Sequence, residues 1–138
     1  MIIDAKDLIL GRLATKAAKA ALNGEEVNIV NCEKAVIVGK KEEIFARYLR
    51  KQDMGVPRKG PFLHRGADRI VRRTIRGMLP YKKEHGKEAF HKIMCFIEVP
   101  KEFEGKALKT FDDININNTS NLKFVTIKQV SEKVGFKY

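Results

Sequence analysis

Residues 1–32 read MIIDAKDLILGRLATKAAKAALNGEEVNIVNC, and the order of the patterns within them decides the fold. The apolar pair at residues 2–3 predicts a short first strand, and the apolar run at residues 26–32 predicts a buried second strand. Between them, residues from about Leu10 to Asn23 carry apolar side chains at helical spacing. A strand, a helix and a strand within about thirty residues form the βαβ unit of a parallel sheet. The sequence therefore predicts an α/β fold.

The first predicted helix has two different faces. Its leucine and alanine side chains fall on one side, whereas Arg12, Lys16 and Lys19 fall on the other. Asp7 is the expected N-cap, and Gly24 is expected to end the helix, because these residue types suit those positions. The helix is thus predicted to be amphipathic, with a basic outer stripe.

Further helices and short strands are predicted along the rest of the chain. Helices are expected at residues 40–52, 67–79 and 84–91, a buried strand at Ile93–Val99, and a strand leading into a helix at residues 124–134. Residues 35–39 suit either a short strand or a turn of helix. Three glycines and two prolines exclude regular structure from residues 53–66. Residues 112–121 are expected to form a polar loop.

Length and composition bound the class of protein. The chain has 138 residues, 43% of them hydrophobic, which suits one globular domain spanning residues 1–138. Its net charge of +11 predicts a polyanionic partner, either nucleic acid or an anionic membrane surface. The longest apolar runs are far below the roughly 20 residues that a spanning helix needs. The N-terminal segment also lacks the basic start of a secretory signal. We therefore expect a cytoplasmic protein with no membrane partner.

The positive charge is concentrated in the middle of the chain. Residues 40–92 hold sixteen Lys or Arg against six Asp or Glu, a net charge of +10, whereas the remainder holds twelve against eleven. Charge that served only solubility would have no reason to segregate in this way. A chain that docks onto phosphates through one surface is expected to concentrate its positive charge there. The distribution therefore favours nucleic-acid binding through residues 40–92.

The helix predicted at residues 67–79 carries the strongest charge pattern. Its expected inward side chains are Ile70, Val71, Thr74 and Met78. Its opposite face carries Arg69, Arg72, Arg73 and Arg76, and the preceding loop adds Arg58, Lys59, His64 and Arg65. Solvated helix faces usually mix charges of both signs, but Asp68 is nearly the only acid here. One arginine guanidinium can donate two hydrogen bonds to phosphate oxygens, and it can also stack on an exposed base. This face therefore predicts an RNA-binding surface.

Motifs typical of enzymes are missing from the sequence. It contains no G-x-x-x-x-G-K-S/T, no G-x-G-x-x-G after a strand and no G-x-S-x-G. His64, His85 and His91 have neither partner cysteines nor H-E-x-x-H spacing, so we expect no metal site. Cys32 and Cys95 lie in apolar stretches without C-x-x-C spacing, which favours reduced, buried thiols over a disulfide or metal pair. No catalysis, cofactor or small-molecule substrate is expected.

Several of these segments resemble one known family. They are Gly60-Pro61-Phe62, Arg65-Gly66-Ala67-Asp68-Arg69-Ile70, Arg73-Thr74-Ile75-Arg76-Gly77-Met78-Leu79-Pro80, Gly11-Arg12-Leu13-Ala14 and the strand Val27–Asn31. Together they resemble ribosomal protein thirteen of the large subunit, and the resemblance covers roughly residues 2–100. The chain lacks the insert that bacterial members carry between the first helix and the second strand, so it is similar to the archaeal branch. The tail after Gly105 matches weakly.

The resemblance implies a fold and partners, and the charge pattern supplies the expected contact residues. The fold is a three-layer α/β/α arrangement around a small, mainly parallel sheet, and the partners are large-subunit rRNA and neighbouring large-subunit ribosomal proteins. Together with the charge pattern, it leads us to expect a structural role in subunit assembly. The expected RNA-binding residues are Arg58, Lys59, His64, Arg65, Arg69, Arg72, Arg73, Arg76, Lys82 and Lys83, with Arg12 and Lys16 as a secondary patch.

Two other classes of protein remain open from the residues alone. A small nucleotide-dependent or RNA-modifying enzyme would bind its ligand at the carboxyl edge of a parallel sheet. A protein-binding regulator would contact RNA only in passing. Sedimentation separates the regulator from a ribosomal protein, because only the latter should migrate with the large subunit in low salt.

Overall fold

The computed structural model describes residues 1–56, 58–120 and 123–138. In chain order, the strands and α-helices are β1 (Ile2–Asp4), α1 (Leu10–Leu22), β2 (Val27–Val30), β3 (Val36–Val38), α2 (Lys41–Asp53), α3 (Ala67–Met78), α4 (Glu84–His91), β4 (Ile93–Cys95), β5 (Phe124–Thr126) and α5 (Ile127–Lys133). Short 3₁₀ turns follow β2 and interrupt the segment between β4 and β5. The predicted loops at 53–66 and 112–121 each include a residue outside the described ranges.

Three strands form the parallel sheet that the first 32 residues predict. Strand β2 lies in the middle, with β1 and β4 parallel on its two sides. The backbone of Lys109 covers the outer edge of β1, since its N–H donates to the Ile2 carbonyl at 2.9 Å. Strands β3 and β5 form a separate antiparallel pair, so residues 35–39 contain a strand and not a turn of helix. The α/β class with a small, mainly parallel sheet is confirmed.

The main core lies between this sheet and helices α1, α3 and α4, which pack against one another. The predicted apolar face of α1 is buried: Leu10, Leu13, Ala14, Ala17 and Ala21 are each at most 5% exposed. Small alanines on this face let a neighbouring helix approach closely. The apolar face of α1 therefore lets α3 pack directly beside α1, and the polar face of α3 is turned outward.

Asp7 does not cap helix α1, which corrects the sequence prediction. It has a left-handed backbone with φ of 58°, and its carbonyl accepts a hydrogen bond from Ile116 N–H at 2.9 Å. The helix begins at Leu10, and the N-cap position is Ile9, whose side chain makes no capping hydrogen bond. Sequence reasoning failed here because Asp7 serves a turn that contacts the distant tail.

The predicted strand Ile93–Val99 was too long. Strand β4 ends at Cys95, and Met94 is 42% exposed, so the segment is neither fully extended nor fully buried. Its partner β2 ends at Val30, because Asn31 adopts a left-handed backbone with φ of 55°. Backbone hydrogen bonds continue past Cys95, from Phe96 N–H to the Ile29 carbonyl and from Asn31 N–H to the Glu98 carbonyl, but Glu98 turns the chain with φ of 58°, so they no longer form a regular parallel ladder.

Candidate nucleic-acid interface

Helix α3 holds four arginines on the face opposite its core side chains. Ala67, Ile70, Val71 and Ile75 are buried, and the intervening positions point outward because successive residues are rotated by about 100°. The outward side chains are Arg69, Arg72, Arg73 and Arg76. Met78, expected in the core, is 42% exposed instead, because it is the last residue of the helix and lies over Thr15 of α1. Ile75 takes the inward position that the sequence prediction left out.

Two aromatic rings hold two of these arginines in place. The Arg72 guanidinium carbon lies 4.6 Å from the centroid of Phe90 on α4, and that of Arg76 lies 4.9 Å from the centroid of Tyr81. Such cation–π contacts fix the plane of the guanidinium but use none of its N–H donors. Within the described residues, the buried Nε atom of Arg72 has no hydrogen-bond acceptor. Because this Nε is enclosed by the protein, contact with an external anion is left to the terminal N–H groups of the guanidinium.

No carboxylate neutralises the arginines of α3. Over residues 1–56, 58–120 and 123–138, the ion pairs within 4.0 Å all involve lysines and none involves an arginine. Asp68, the acid on the same helix, turns back towards Gly66, where a Cβ atom would come 2.6 Å from its Oδ1. In that position its charge lies at the helix N-terminus, where the helix dipole favours an anion. The outer face of α3 thus carries uncompensated positive charge.

A groove runs along this face between α3 and β4. Its volume is about 420 Å³, and its lining includes His64, the four arginines, Phe90, the exposed Met94 and Cys95. Among the described residues, Asp68 is the one carboxylate in this lining, so the groove keeps a net positive charge. Guanidinium groups along an open groove with an aromatic wall suit phosphate oxygens and unpaired bases. Five of the predicted contact residues are therefore brought to one place. They are His64, Arg69, Arg72, Arg73 and Arg76.

The basic loop before α3 is braced by its own backbone. Val56 and Gly60 pair across a tight turn, in which Gly60 N–H donates to the Val56 carbonyl at 2.9 Å. Arg58 and Lys59 lie exposed at the tip of this turn. Gly55 must be glycine, since a Cβ atom there would come 2.0 Å from the Gly60 carbonyl oxygen. The loop therefore exposes its two cations in the segment that precedes α3.

Arg65 differs from the other loop cations because it packs against α5. Its carbonyl accepts a hydrogen bond from the Ser131 hydroxyl at 2.6 Å. Its guanidinium lies beside Gly135, where a Cβ atom would come 3.5 Å from Nη1. Lys82 and Lys83 are exposed directly after Tyr81 and extend the positive surface beyond the end of α3. Arg65 thus lies apart from the groove, and the two lysines are exposed in the segment between α3 and α4.

The proposed secondary patch on α1 is partly neutralised. Arg12 is exposed, but the Lys16 ammonium contacts both carboxylate oxygens of Asp113, at 2.6 and 2.7 Å, and lies 4.3 Å from the centroid of Phe111. The hydrogen bond from Lys16 holds the pKa of Asp113 below its ordinary value. Lys16 and Asp113 therefore form a charged pair at the pH of the cell. The two predicted cations of α1 differ, and only Arg12 keeps its full charge outward.

The two cysteines lie beside each other, although nothing in their spacing indicates it. Both are free thiols, with Cys32 buried and Cys95 half-buried. A hydrogen bond with the Cys95 thiol and burial raise the pKa of Cys32 well above its ordinary value. The described residues contain no cluster of three or more His, Cys, Asp or Glu that suits a metal ion. They also contain no helix long and apolar enough to cross a membrane.

Sequence reasoning missed the aromatic residues of the interface. Phe90 and Tyr81 each contact an arginine of α3, but neither residue belongs to α3. The helical pattern of α3 alone therefore could not predict these contacts. A weak signal existed for Phe62, which is an aromatic residue inside a basic loop and is 72% exposed. Aromatic residues interleaved with arginines are typical of RNA-binding surfaces. That pattern, and not charge alone, would have pointed to Phe62.

Comparison with known proteins supplies the family. The profile of the family described as Ribosomal protein L13 matches residues 1–102, which is most of the chain. The chain belongs to the ribosomal protein L13 family. It is 44% identical over 137 residues to large ribosomal subunit protein uL13 of Archaeoglobus fulgidus, with 99% of this chain and 88% of the relative covered. Against uL13 of Methanococcoides burtonii the identity is 42%, with 99% of each chain covered.

A third L13 relative also matches this chain over its tail. The uL13 protein of Methanococcus maripaludis is 43% identical over 143 aligned residues, with 100% of this chain and 99% of the relative covered. The resemblance to the archaeal branch of the L13 family is therefore confirmed, and it reaches past the residues that carry the sequence motifs. L13 proteins are ribosomal proteins and not enzymes.

Proposed function

We propose that this chain is a structural constituent of the large ribosomal subunit in the cytoplasm, binds large-subunit rRNA and supports assembly of that subunit. Membership of the L13 family supports the ribosomal role. The contact surface is argued from geometry. The observation that carries it is the row of four α3 arginines with no carboxylate within 4.0 Å among the described residues.

The primary contact surface consists of α3, the loop before it and the turn after it. Its residues are Arg58, Lys59, His64, Arg65, Arg69, Arg72, Arg73, Arg76, Lys82 and Lys83. Arg12 and Lys16 form the secondary patch, and the contribution of Lys16 is reduced by its pairing with Asp113. Phosphate contacts made by these cations release condensed counterions from the RNA, and the entropy of that release supplies a large part of the binding free energy. Neighbouring large-subunit proteins contact the faces that the RNA leaves free.

Salt dependence tests the electrostatic mechanism. If six to ten phosphates are engaged, affinity for an rRNA fragment falls about 10³-fold to 10⁵-fold between 50 and 200 mM salt. The measurement is a titration of the full chain against its rRNA fragment at several salt concentrations. A flat response would exclude phosphate contacts as the main source of affinity.

Sedimentation tests the ribosomal role independently. In a low-salt lysate the chain should migrate with the large subunit, and high salt should release part of it because phosphate contacts weaken. A protein-binding regulator would instead remain mostly near the top of the gradient. The two outcomes separate stable incorporation from transient contact.

A further inference from the structure

A second cavity lies on the other side of Arg73, between α2, the basic loop and α3. Its volume is about 460 Å³, within the range of roughly 300 to 1,000 Å³ that is typical of small-ligand sites. Tyr48, Met54, Phe62 and Ile70 supply its apolar and aromatic lining. The arginine groove described above shares only His64 and Arg73 with it. It is therefore a separate depression next to the proposed RNA path.

The most exposed large apolar side chain of the cavity is Phe62. It is 72% exposed, and Met54, which also lines the cavity, is 53% exposed. Gly60 supports the ring from below, because a Cβ atom on this residue would come 3.1 Å from the Phe62 side chain. The braced turn at Val56 and Gly60 keeps this backbone in place. Phe62 is thus held with an aromatic face turned to solvent, which costs free energy unless a ligand covers it.

The charges around the cavity select the kind of ligand. Lys51, His64 and Arg73 line it, and no carboxylate does so among the described residues. An apolar side chain of a partner protein would gain nothing from three basic groups. A nucleotide combines a flat aromatic base with a negative phosphate, and both parts find a counterpart here. Single-stranded RNA is commonly bound in this way, with bases stacked on aromatic side chains beside cations.

We propose that this cavity binds an unpaired nucleobase of RNA, which stacks on Phe62 while Arg73 and Lys51 contact the adjacent phosphates. Arg73 lines both the cavity and the groove, so a strand lying on α3 can insert one base without leaving the groove. The inference rests on the proposed RNA-binding function and adds to it a preference for a single-stranded or bulged nucleotide. Duplex RNA, whose bases are paired and stacked, cannot fill the cavity.

The test compares one RNA strand with the corresponding duplex. The probe is a fluorescein-labelled 16-mer RNA of mixed sequence without self-complementarity, with a central 5-iodouridine, used alone and annealed to its full complement. Affinities for the full chain are measured by fluorescence anisotropy. Phe62→Ala should weaken binding of the single strand about tenfold or more and change duplex binding less than twofold. Phe62→Tyr, which keeps a ring for stacking, should restore single-strand binding. Phe124→Ala, an exposed phenylalanine on β5 outside the cavity, should change neither affinity.

Photocrosslinking gives a second readout that does not depend on affinity. Irradiation of the complex should attach the iodouridine to a cavity residue, with Phe62 the expected position, as mapped by mass spectrometry. Equal losses on single strand and duplex in Phe62→Ala would overturn the inference, because Phe62 would then only support the loop. Unchanged RNA affinity with reduced incorporation into subunits would also overturn it, since a protein would then occupy the cavity.

The failure of the inference can be distinguished from failure of the proposed function. If wild-type protein binds both RNAs with strong salt dependence but Phe62→Ala binds them equally well, only the base-binding cavity is excluded. If wild-type protein binds neither RNA in a salt-dependent manner, the electrostatic surface is excluded, and the cavity proposal falls with it.

Discussion

Helices α1 and α3 pack side by side and share one sequence pattern, yet their basic faces have different surroundings. On α1, Lys16 is paired with Asp113 and covered by Phe111. On α3, Arg72 and Arg76 lie over aromatic rings and have no carboxylate partner within the described residues. The rest of the chain thus pairs one cation of α1 with a carboxylate and leaves the arginines of α3 without such a partner among the described residues, which is the difference on which the proposed RNA contact rests.

The tail of the chain causes this difference. Asp113 lies in a 3₁₀ turn whose neighbour Ile114 is buried in the main core. The Ile114 carbonyl accepts a hydrogen bond from Ile9 N–H at 3.0 Å, just before α1 begins. Docking of the tail thus brings a carboxylate to α1. The arginines of α3 instead contact the ring of Phe90 on α4 and the ring of Tyr81 in the turn between α3 and α4. Neutral rings orient an arginine without cancelling its charge.

The largest expected effect comes from reversing the charge of two arginines on α3, with the same change on α1 as the control. Arg69→Glu with Arg73→Glu should lower affinity for the rRNA fragment by at least about 100-fold at 100 mM salt, because two phosphate contacts become repulsive. Both side chains are exposed, so the fold should persist. The matched control, Arg12→Glu with Lys19→Glu on α1, changes the net charge equally and should cost less than about tenfold. Equal losses would remove the distinction between the two faces.

An intermediate effect should follow from loosening the support of α3. A Cβ atom at Gly86 of α4 would come 2.2 Å from the Pro80 carbonyl oxygen, so Gly86→Ala must push α4 away from the turn after α3. We expect a loss of about 1 to 3 kcal/mol in the free energy of unfolding, measured with urea. RNA affinity should fall as well, because α4 carries the ring that holds Arg72.

The control for this change is Gly77→Ala near the end of α3. A Cβ atom there meets no other atom within 4 Å, so the substitution should be neutral or stabilise the helix by up to about 1 kcal/mol. If Gly86→Ala were as stable as Gly77→Ala, the close approach of α4 to Pro80 would not matter for the fold.

The smallest effect tests whether α1 can be made to resemble α3. Asp113→Asn removes the carboxylate from Lys16 and should raise RNA affinity about twofold to fivefold at low salt, because one more cation becomes available. Anisotropy with the same rRNA fragment measures the change. No gain at any salt concentration would mean that the position of Lys16, and not its pairing, limits the contribution of Lys16 to the secondary patch.

The same pair predicts a pH dependence of stability. Lys16 lowers the pKa of Asp113 in the folded chain, so the contribution of the pair is present above the ordinary aspartate pKa of about 3.9 and is lost as pH falls through the lowered value. The difference in Tm between wild type and Asp113→Asn should therefore be greatest near neutral pH and shrink in acid. Because Asp113 is exposed, the difference should be small at every pH.

Most elements of the fold follow from local patterns. Helices α1, α2, α3 and α4 and the step from β5 into α5 lie within one or two residues of their predicted positions, because helical periodicity is a property of each segment by itself. The errors are at Asp7 and at the end of β4. In both places a residue with positive φ makes contacts with a distant segment, and such contacts leave no periodic trace.

The candidate site likewise has features that the sequence predicts and features that only the tertiary structure determines. Sequence alone determined the α/β class, the basic middle segment and the arginine face of α3, because spacing and charge are local and additive. Tertiary structure alone decided which cations stay uncompensated, which arginines rest on rings and where an exposed Phe62 borders a cavity. The physical reason is distance along the chain: Asp113 is 97 residues from the lysine that it neutralises, and only folding brings the two together.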